Sequence, residues 1–191
     1  GCSVKNGHIS SVTLYSKNGF FEAKADVFLD CSADADLATN AGIPSVYGRD
    51  KDNLAQPMTM NIKVNGVNRE KVMDFVRGNR NDMLKTIPFD HLDQIPRTGI
   101  QGAYSVIRAA KENGEFDVDR DMVLCFETNN PGEFILNMSR VVQKSAVDPF
   151  QLTEAEIEGR RQAHQIVDGG AQQRREARQG VGVRRGAAGL P

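Results

Sequence analysis

Residues 27–42 read V-F-L-D-C-S-A-D-A-D-L-A-T-N-A-G, and the order of residue types in this stretch decides the fold that we expect. The apolar run over residues 25–30, ended by Asp and small residues, is typical of a strand buried on both faces. A helix over residues 34–41 should follow, because acidic residues open it and Gly42 and Pro44 lie at and beyond its end. The stretch therefore predicts a strand, a turn of small residues and a short helix.

The turn between this strand and helix has two interpretations. Small residues let a ligand approach the backbone at the carboxyl end of the strand, where N–H groups near the helix start can meet phosphate or ribose. Small residues are also common in plain strand–turn–helix connections. The stretch by itself leaves both interpretations open.

Alternating patterns predict further strands on both sides of this stretch. Residues 7–16 alternate apolar and polar side chains, residues 17–19 read Lys-Asn-Gly, which is a strong hairpin signal, and residues 20–24 are extended. Residues 56–67 alternate again, with four apolar side chains on one face: Met58, Met60, Ile62 and Val64. A hairpin is predicted later in the chain, from residues 122–128 and 133–141.

Helical spacing predicts three longer helices. Two of them cover residues 69–77 and 99–113. Thr153 and Glu156 have the spacing of a capping box, so the third helix should begin at Thr153 and end near Asp168.

Composition excludes several function classes. The 191 residues carry 24 Lys and Arg against 25 Asp and Glu, so there is no basic excess to indicate nucleic acid as the main partner. No apolar run approaches the ~20 residues of a membrane helix, and nothing marks the first residues as a secretory signal. The three cysteines, Cys2, Cys31 and Cys125, fit a reducing cytosol better than a disulfide framework, and cannot supply the four thiolates of a usual iron–sulfur cluster. We therefore expect a cytoplasmic protein whose main partner is neither nucleic acid nor a membrane.

Residues 169–191 differ from the rest of the chain. They hold five Arg, six Gly and one acidic residue, which is a composition that predicts disorder. An RNA-binding arm is an alternative, although the repeated aromatic or Arg-Gly-Gly pattern is missing. A further alternative is translation in a wrong frame, because the codons of residues 171–176, displaced by one base, are compatible with Arg-Asn-Asn-Val-Glu-Lys.

Residues 30–38 resemble the second flavin-contacting motif of FAD-dependent oxidoreductases of the glutathione-reductase type, Asp-Ala-Thr-Gly-Asp-Gly-Asp-Leu-Ala. The similarity continues in order along the chain: Ala-Gly-Ile-Pro at 41–44, Gly-Arg-Asp at 48–50, Gln-Pro-Met-Thr-Met at 56–60, Pro-Gly-Glu at 131–133, Asn-Met-Ser-Arg-Val at 137–141, and residues 152–162. This ordered set resembles the bacterial branch related to the heterodisulfide reductase flavin subunit.

The resemblance implies a fold class, FAD as the cofactor, the transfer of hydride or electrons to or from a small-molecule substrate, and a set of site residues. The fold would be α/β with α+β: trailing strands of an FAD/NAD(P)-binding domain over residues 1–45, then a mixed-sheet substrate domain over residues 46–168. The residues implied to contact FAD are Cys31, Ser32, Ala33, Asp34 and Gln56, the last in a stretch that resembles one near the isoalloxazine ring. Arg140 would bind a substrate carboxylate with its forked guanidinium, or form a structural ion pair instead.

Two departures from the family pattern bear on FAD binding. Ala33 and Ala35 replace glycines, and their methyl groups can narrow the space for flavin or oppose a positive φ. The chain also lacks Gly-x-Gly-x-x-Gly, the turn that binds the pyrophosphate. We therefore expect a middle fragment of a flavoenzyme, with FAD bound weakly or not at all.

No catalytic residue can be named from the sequence, and His8, His91 and His164 lack metal-ligand spacing. Cys125 is expected to be a buried apolar residue, and packing is also the favoured role of Cys31. The alternative function is a non-catalytic binding module without flavin. An exposed apolar face where the absent strands would pack predicts self-association or poor solubility.

Overall fold

The computed structural model describes residues 1–84 and 89–178, with side chains described as far as Val167 in the last helix. Helices are combined with antiparallel sheets, and the chain divides into two compact units, Gly1–Ala55 and Gln56–Pro191.

Unit 1 contains a three-stranded antiparallel sheet in the order β1-β2-β3. The strands are β1 (Cys2–Lys5), β2 (His8–Ser16) and β3 (Gly19–Ala23). Ser16 pairs with Gly19, which leaves Lys17 and Asn18 as a two-residue turn and confirms the predicted hairpin. The short helix α1 (Asp36–Asn40) is also confirmed.

Residues 25–30 do not form the predicted buried strand. They belong to neither sheet, and Val27 and Leu29 are 73% and 83% exposed. A strand buried on both faces needs hydrogen-bonded neighbours and a covering layer on each side. The sheet of unit 1 ends at Ala23 and provides none of these for residues 25–30.

Unit 2 is built on a four-stranded sheet in the order β4-β7-β6-β5. Its strands are β4 (Ile62–Val64), β5 (Gly99–Gly102), β6 (Val123–Glu127) and β7 (Phe134–Leu136). All three pairings are antiparallel, where the resemblance implied a mixed sheet. The β6–β7 hairpin confirms the prediction, although its second strand ends at Leu136 instead of continuing to Val141.

Three helices accompany this sheet: α2 (Arg69–Gly78), α3 (Tyr104–Glu112) and α4 (Pro149–Arg178). The Asn68 side chain caps α2 by accepting from the Lys71 N–H at 3.0 Å. The apolar faces of α2 and α3 pack with the sheet residues into one buried core: Val72, Met73, Val76, Ile100, Ala103, Ile107, Val123 and Phe134.

The helix predicted over residues 99–113 begins only after a strand, because residues 99–102 form β5. The junction between β5 and α3 requires glycine at position 102. Its φ is +137°, and a Cβ there would lie 2.5 Å from the Met83 Cα. The Asp82 carboxylate then accepts from the Ser105 N–H at 3.0 Å, so a neighbouring turn caps α3.

Helix α4 begins earlier and ends later than predicted. Asp148, and not Thr153, is its cap: the Asp148 carboxylate accepts from the N–H groups of Phe150 and Gln151 at 2.9 and 3.1 Å. The Thr153 hydroxyl donates to the Pro149 carbonyl within the helix. The helix continues to Arg178, so part of the predicted disordered tail is helical. The rest of that tail, residues 179–191, lies outside the described residues.

Candidate functional site

The turn at residues 30–36 of unit 1 is organised by the Asp30 carboxylate. One oxygen accepts from the Ser32 N–H at 2.9 Å and the Ser32 hydroxyl at 2.7 Å, and the other accepts from the Ala38 N–H at 2.9 Å. The Ser32 hydroxyl in turn accepts from the Asp36 N–H at 2.7 Å. These bonds, that of the Ser32 hydroxyl first, lower the pKa of Asp30 below its usual value. The turn is therefore folded by its own side chains.

Four predicted cofactor-binding residues, Cys31, Ser32, Ala33 and Asp34, lie on this turn and are all exposed. Cys31 is exposed, so the prediction that it packs in a core was wrong. Within the described part of the chain, the N–H groups of Ala33, Asp34 and Ala35 make no hydrogen bond. Three consecutive amides are thus available to a ligand.

Gln56 opens unit 2 and is exposed. The segment that follows it pairs with residues 139–141. Met58 and Val141 exchange two main-chain hydrogen bonds of 2.9 Å. At Met60 a side chain continues this pairing: the fully buried Ser139 hydroxyl accepts from the Met60 N–H at 2.7 Å and donates to the Met60 carbonyl at 2.9 Å. The segment resembling the isoalloxazine contact is therefore fixed at its carboxyl end.

Helix α4 packs against this pair of segments and leaves a groove. Gly159 allows close packing, because a Cβ there would lie 3.3 Å from the Met60 Cβ. The groove has a volume of about 200 Å³. Its lining is mostly apolar: Met58, Thr59, Met60, Val141, Leu152, Ala155, Glu156 and Gly159. Met58 and Met60 are partly buried, so they act as packing residues as well as groove walls.

Arg140 has a fixed main chain and a partly exposed side chain. The buried Gln162 amide accepts from the Arg140 N–H at 2.6 Å and donates to the Arg140 carbonyl at 3.1 Å. The Arg140 Nε lies 3.8 Å from an Asp119 carboxylate oxygen, which is a long ion pair. Arg140 is not among the residues lining the groove, although its neighbour Val141 is.

Comparison with known proteins identifies the family. The family described as FAD dependent oxidoreductase matches residues 1–182. The chain belongs to the FAD dependent oxidoreductase family. Neither the curated proteins nor the solved structures with which the chain was compared provide a match.

The Asp30 turn of this FAD dependent oxidoreductase fits part of an FAD molecule. Its exposed amides can donate to oxygen atoms, and its small side chains allow a close approach. The acidic side chains of Asp34 and Asp36 suit hydroxyl donors, such as those of a ribose or ribityl chain, better than phosphate. The sequence contains no Gly-x-Gly-x-x-Gly, so these residues do not include that pyrophosphate-binding turn. The chain can therefore supply one portion of an FAD site.

Ala35 adopts the conformation that a glycine would favour. Its φ is +54°, in the left-handed region, whereas Ala33 does not have a positive φ. The methyl group at position 35 is thus accommodated at the cost of backbone strain, which is about 1–2 kcal/mol for a non-glycine residue.

Cys125 is buried, as predicted, and burial raises the pKa of its thiol to about 11. Among the helices described, none has the length and apolar character to cross a bilayer. The described side chains include no group of three His, Cys, Asp or Glu arranged to hold a metal.

Sequence reasoning missed three residues of unit 2. Ser139 and Gln162 fall within the matching motifs, but nothing local indicates that they bond to Met60 and Arg140. Arg120 lies between Asp119 and Asp121, and no motif in the sequence indicates a role for it. Its Nη2 donates to the Asn137 carbonyl and side-chain oxygens at 3.2 and 3.3 Å.

Proposed function

We propose that this FAD dependent oxidoreductase transfers hydride or electrons between FAD and a small anionic substrate in the cytoplasm. FAD, when bound, supplies the redox chemistry, and the chain supplies binding and orientation. Unit 1 would contribute the trailing part of an FAD-binding domain of the glutathione-reductase type. Unit 2 would be the substrate domain, and the subtype related to heterodisulfide reductase rests on the ordered motifs quoted above.

The observation that carries this proposal is the Asp30 turn. It resembles the family's second flavin-contacting motif, its own side chains hold it in shape, and the amides of residues 33–35 find no acceptor within the described part of the chain. A turn organised in advance lowers the entropy cost of binding. Cys31, Ser32, Ala33 and Asp34 would hold the nucleotide, Gln56 would approach the isoalloxazine ring, and Arg140 would hold the substrate.

Titration of the ¹⁵N-labelled full chain with FAD tests the nucleotide contact. We expect the amide resonances of residues 33–35 to shift at millimolar FAD, because NMR detects the weak binding expected without the pyrophosphate turn. The Asp30→Asn variant should lose this response, since a neutral amide cannot accept all three hydrogen bonds equally well. Asp26→Asn, which changes an exposed carboxylate of the same unit, is the matched control and should respond normally.

Resonances 33–35 that stay unchanged in a well-folded chain would contradict the proposal. That outcome would support the alternative of a binding module that holds no flavin.

A further inference from the structure

Two neighbouring arginines of unit 2, Arg120 and Arg140, carry more side-chain donors than the surrounding described residues offer acceptors. Within the described residues, Arg120 donates from Nη2 alone, to Asn137. The side chain of Arg140 makes no hydrogen bond within the described part of the chain, and its nearest carboxylate oxygen is 3.8 Å away, on Asp119. The Nε atoms of both arginines are buried and have no acceptor there. Buried donors without acceptors are rare in folded proteins, and those of a charged group are costly.

The electrostatics of the pair favour an additional negative charge. Burial, and then the positive charge of Arg140, lower the pKa of Arg120. Asp121 opposes this effect but is the smallest of the three causes. Asp119 has a side chain that is 75% exposed to water, which weakens its attraction to Arg140. The two nearby aspartates therefore leave the arginine donors unsatisfied.

Both arginines project from fixed backbone. The Gln162 amide holds the Arg140 main chain on both sides of the residue. The Arg120 N–H donates to the Val118 carbonyl at 2.7 Å, and its acceptor Asn137 is itself fixed by an N–H bond to the Leu124 carbonyl at 2.8 Å. Donors held in place before a ligand arrives bind more tightly than mobile ones.

We propose that Arg120 and Arg140 together form an oxyanion site that takes the acidic group of the substrate. The inference rests on the proposed function and extends it by adding a second arginine to Arg140. A carboxylate matches the planar fork of each guanidinium, so an organic acid is the expected ligand, and a phosphate ester shares the same chemistry. A neutral analogue would leave the donors unpaired and be rejected.

Arginine side-chain NMR of the full chain tests this site. Succinate should shift the Nε–Hε resonances of Arg120 and Arg140, and the isosteric neutral succinamide should not. Arg120→Lys and Arg140→Lys keep the charge but lose the fork, and each should weaken succinate binding by about tenfold or more. Arg160→Lys is the matched control, because Arg160 is exposed and pairs with Glu156 within α4.

Inorganic phosphate provides the second arm. Stronger binding of succinate supports a carboxylate ligand, and stronger binding of phosphate supports a phosphate ester at the same site. Unshifted Arg120 and Arg140 resonances, or an equal response to sodium chloride, would overturn the proposal. The wild-type spectra decide this even if a variant fails to fold. The FAD titration follows residues 33–35 in unit 1, so failure of either proposal can be recognised separately.

Discussion

Ser139 shows how a single side chain can replace main-chain pairing. Its hydroxyl satisfies both the N–H and the carbonyl of Met60, and the residue is fully buried. Such a bond joins residues 79 positions apart, so no local pattern could reveal it. The same holds for Gln162 and Arg140. The sequence indicated these motifs through a family resemblance, but their contacts could be known only from the fold.

Removal of the Ser139 hydroxyl should destabilise unit 2. The Ser139→Ala variant leaves two partly buried main-chain groups of Met60 without their partner, so we expect a loss of about 1–3 kcal/mol in the free energy of unfolding. Urea titration followed by circular dichroism measures it. Thr153→Ala, which removes an exposed hydroxyl bonded within α4, should change stability little. Equal stability of the Ser139 and Thr153 variants would contradict the structural role of Ser139.

Glycine at position 35 should stabilise unit 1. The Ala35→Gly variant relieves the strain of a φ of +54°, which outweighs the entropy cost of glycine, for a net gain of up to about 1 kcal/mol. Ala33→Gly relieves no such strain, so only the entropy cost of glycine remains, and the variant should be less stable than wild type by up to about 1 kcal/mol. Thermal unfolding of both variants compares them. A more stable Ala33→Gly protein would show that the strain lies elsewhere in the turn.

At the scale of elements, local signals were sufficient wherever short-range chemistry determines structure. The Lys-Asn-Gly turn, α1, α2 and the β6–β7 hairpin follow their sequence patterns. The predictions for residues 25–30 and 99–102 were wrong for the same reason. Whether an apolar run forms a strand depends on the strands available to pair with it. Among the described strands, residues 25–30 have no pairing partner, whereas residues 99–102 pair with β6.

The start of α4 can be tested by comparing two residues. Asp148→Ala removes a carboxylate that accepts two N–H groups of the first turn, so we expect the melting temperature to fall by a few degrees. Thr153→Ala should leave it unchanged. These hydrogen bonds, that of the Gln151 N–H first, lower the pKa of Asp148, so its contribution should vanish in acid. A larger fall in melting temperature for Thr153→Ala than for Asp148→Ala would support the capping box predicted from the sequence.

Acid should weaken the hydrogen bonds that Glu158 accepts from Arg161 and Gln162 within α4. Hydrogen bonds from Arg161, and then Gln162, lower the pKa of Glu158 from 4.5 to about 2. Because the charged form is favoured in the folded state, its stabilisation is complete above about pH 4.5 and is lost as the pH falls towards 2.

Glu158→Gln should therefore flatten the dependence of unfolding free energy on pH in this interval. Glu154→Gln, a change elsewhere on α4, is the control, and an identical pH profile for wild type and Glu158→Gln would contradict the assignment.

At the scale of the whole molecule, we propose that unit 1 drives self-association. Its sheet and the residues after it expose many large apolar side chains: Leu14, Tyr15, Phe20, Phe21, Val27, Leu29, Ile43 and Val46. Tyr15 and Phe20 are paired across β2 and β3, and the centroids of their exposed rings are 5.0 Å apart. Exposed patches of this kind favour contact with another chain.

Sedimentation velocity at increasing protein concentration measures this association. The Phe20→Ser variant should stay monomeric to higher concentration than wild type. Phe150→Ser, which removes an exposed aromatic residue of unit 2, should associate as wild type does. A concentration-independent monomer in the wild-type protein would refute the proposal.

The paired contacts around residues 139–141 have a consequence for aggregation. The main-chain N–H and carbonyl of Val141 are hydrogen-bonded to Met58. Those of Arg140 are hydrogen-bonded to the Gln162 side-chain amide. A strand with free main-chain groups is a template for recruiting another chain. Here the Gln162 side chain takes the place of a second chain and engages both main-chain groups of Arg140. Loss of Gln162 would therefore do more than loosen α4: it would leave the N–H and carbonyl of Arg140 open to pairing with another chain.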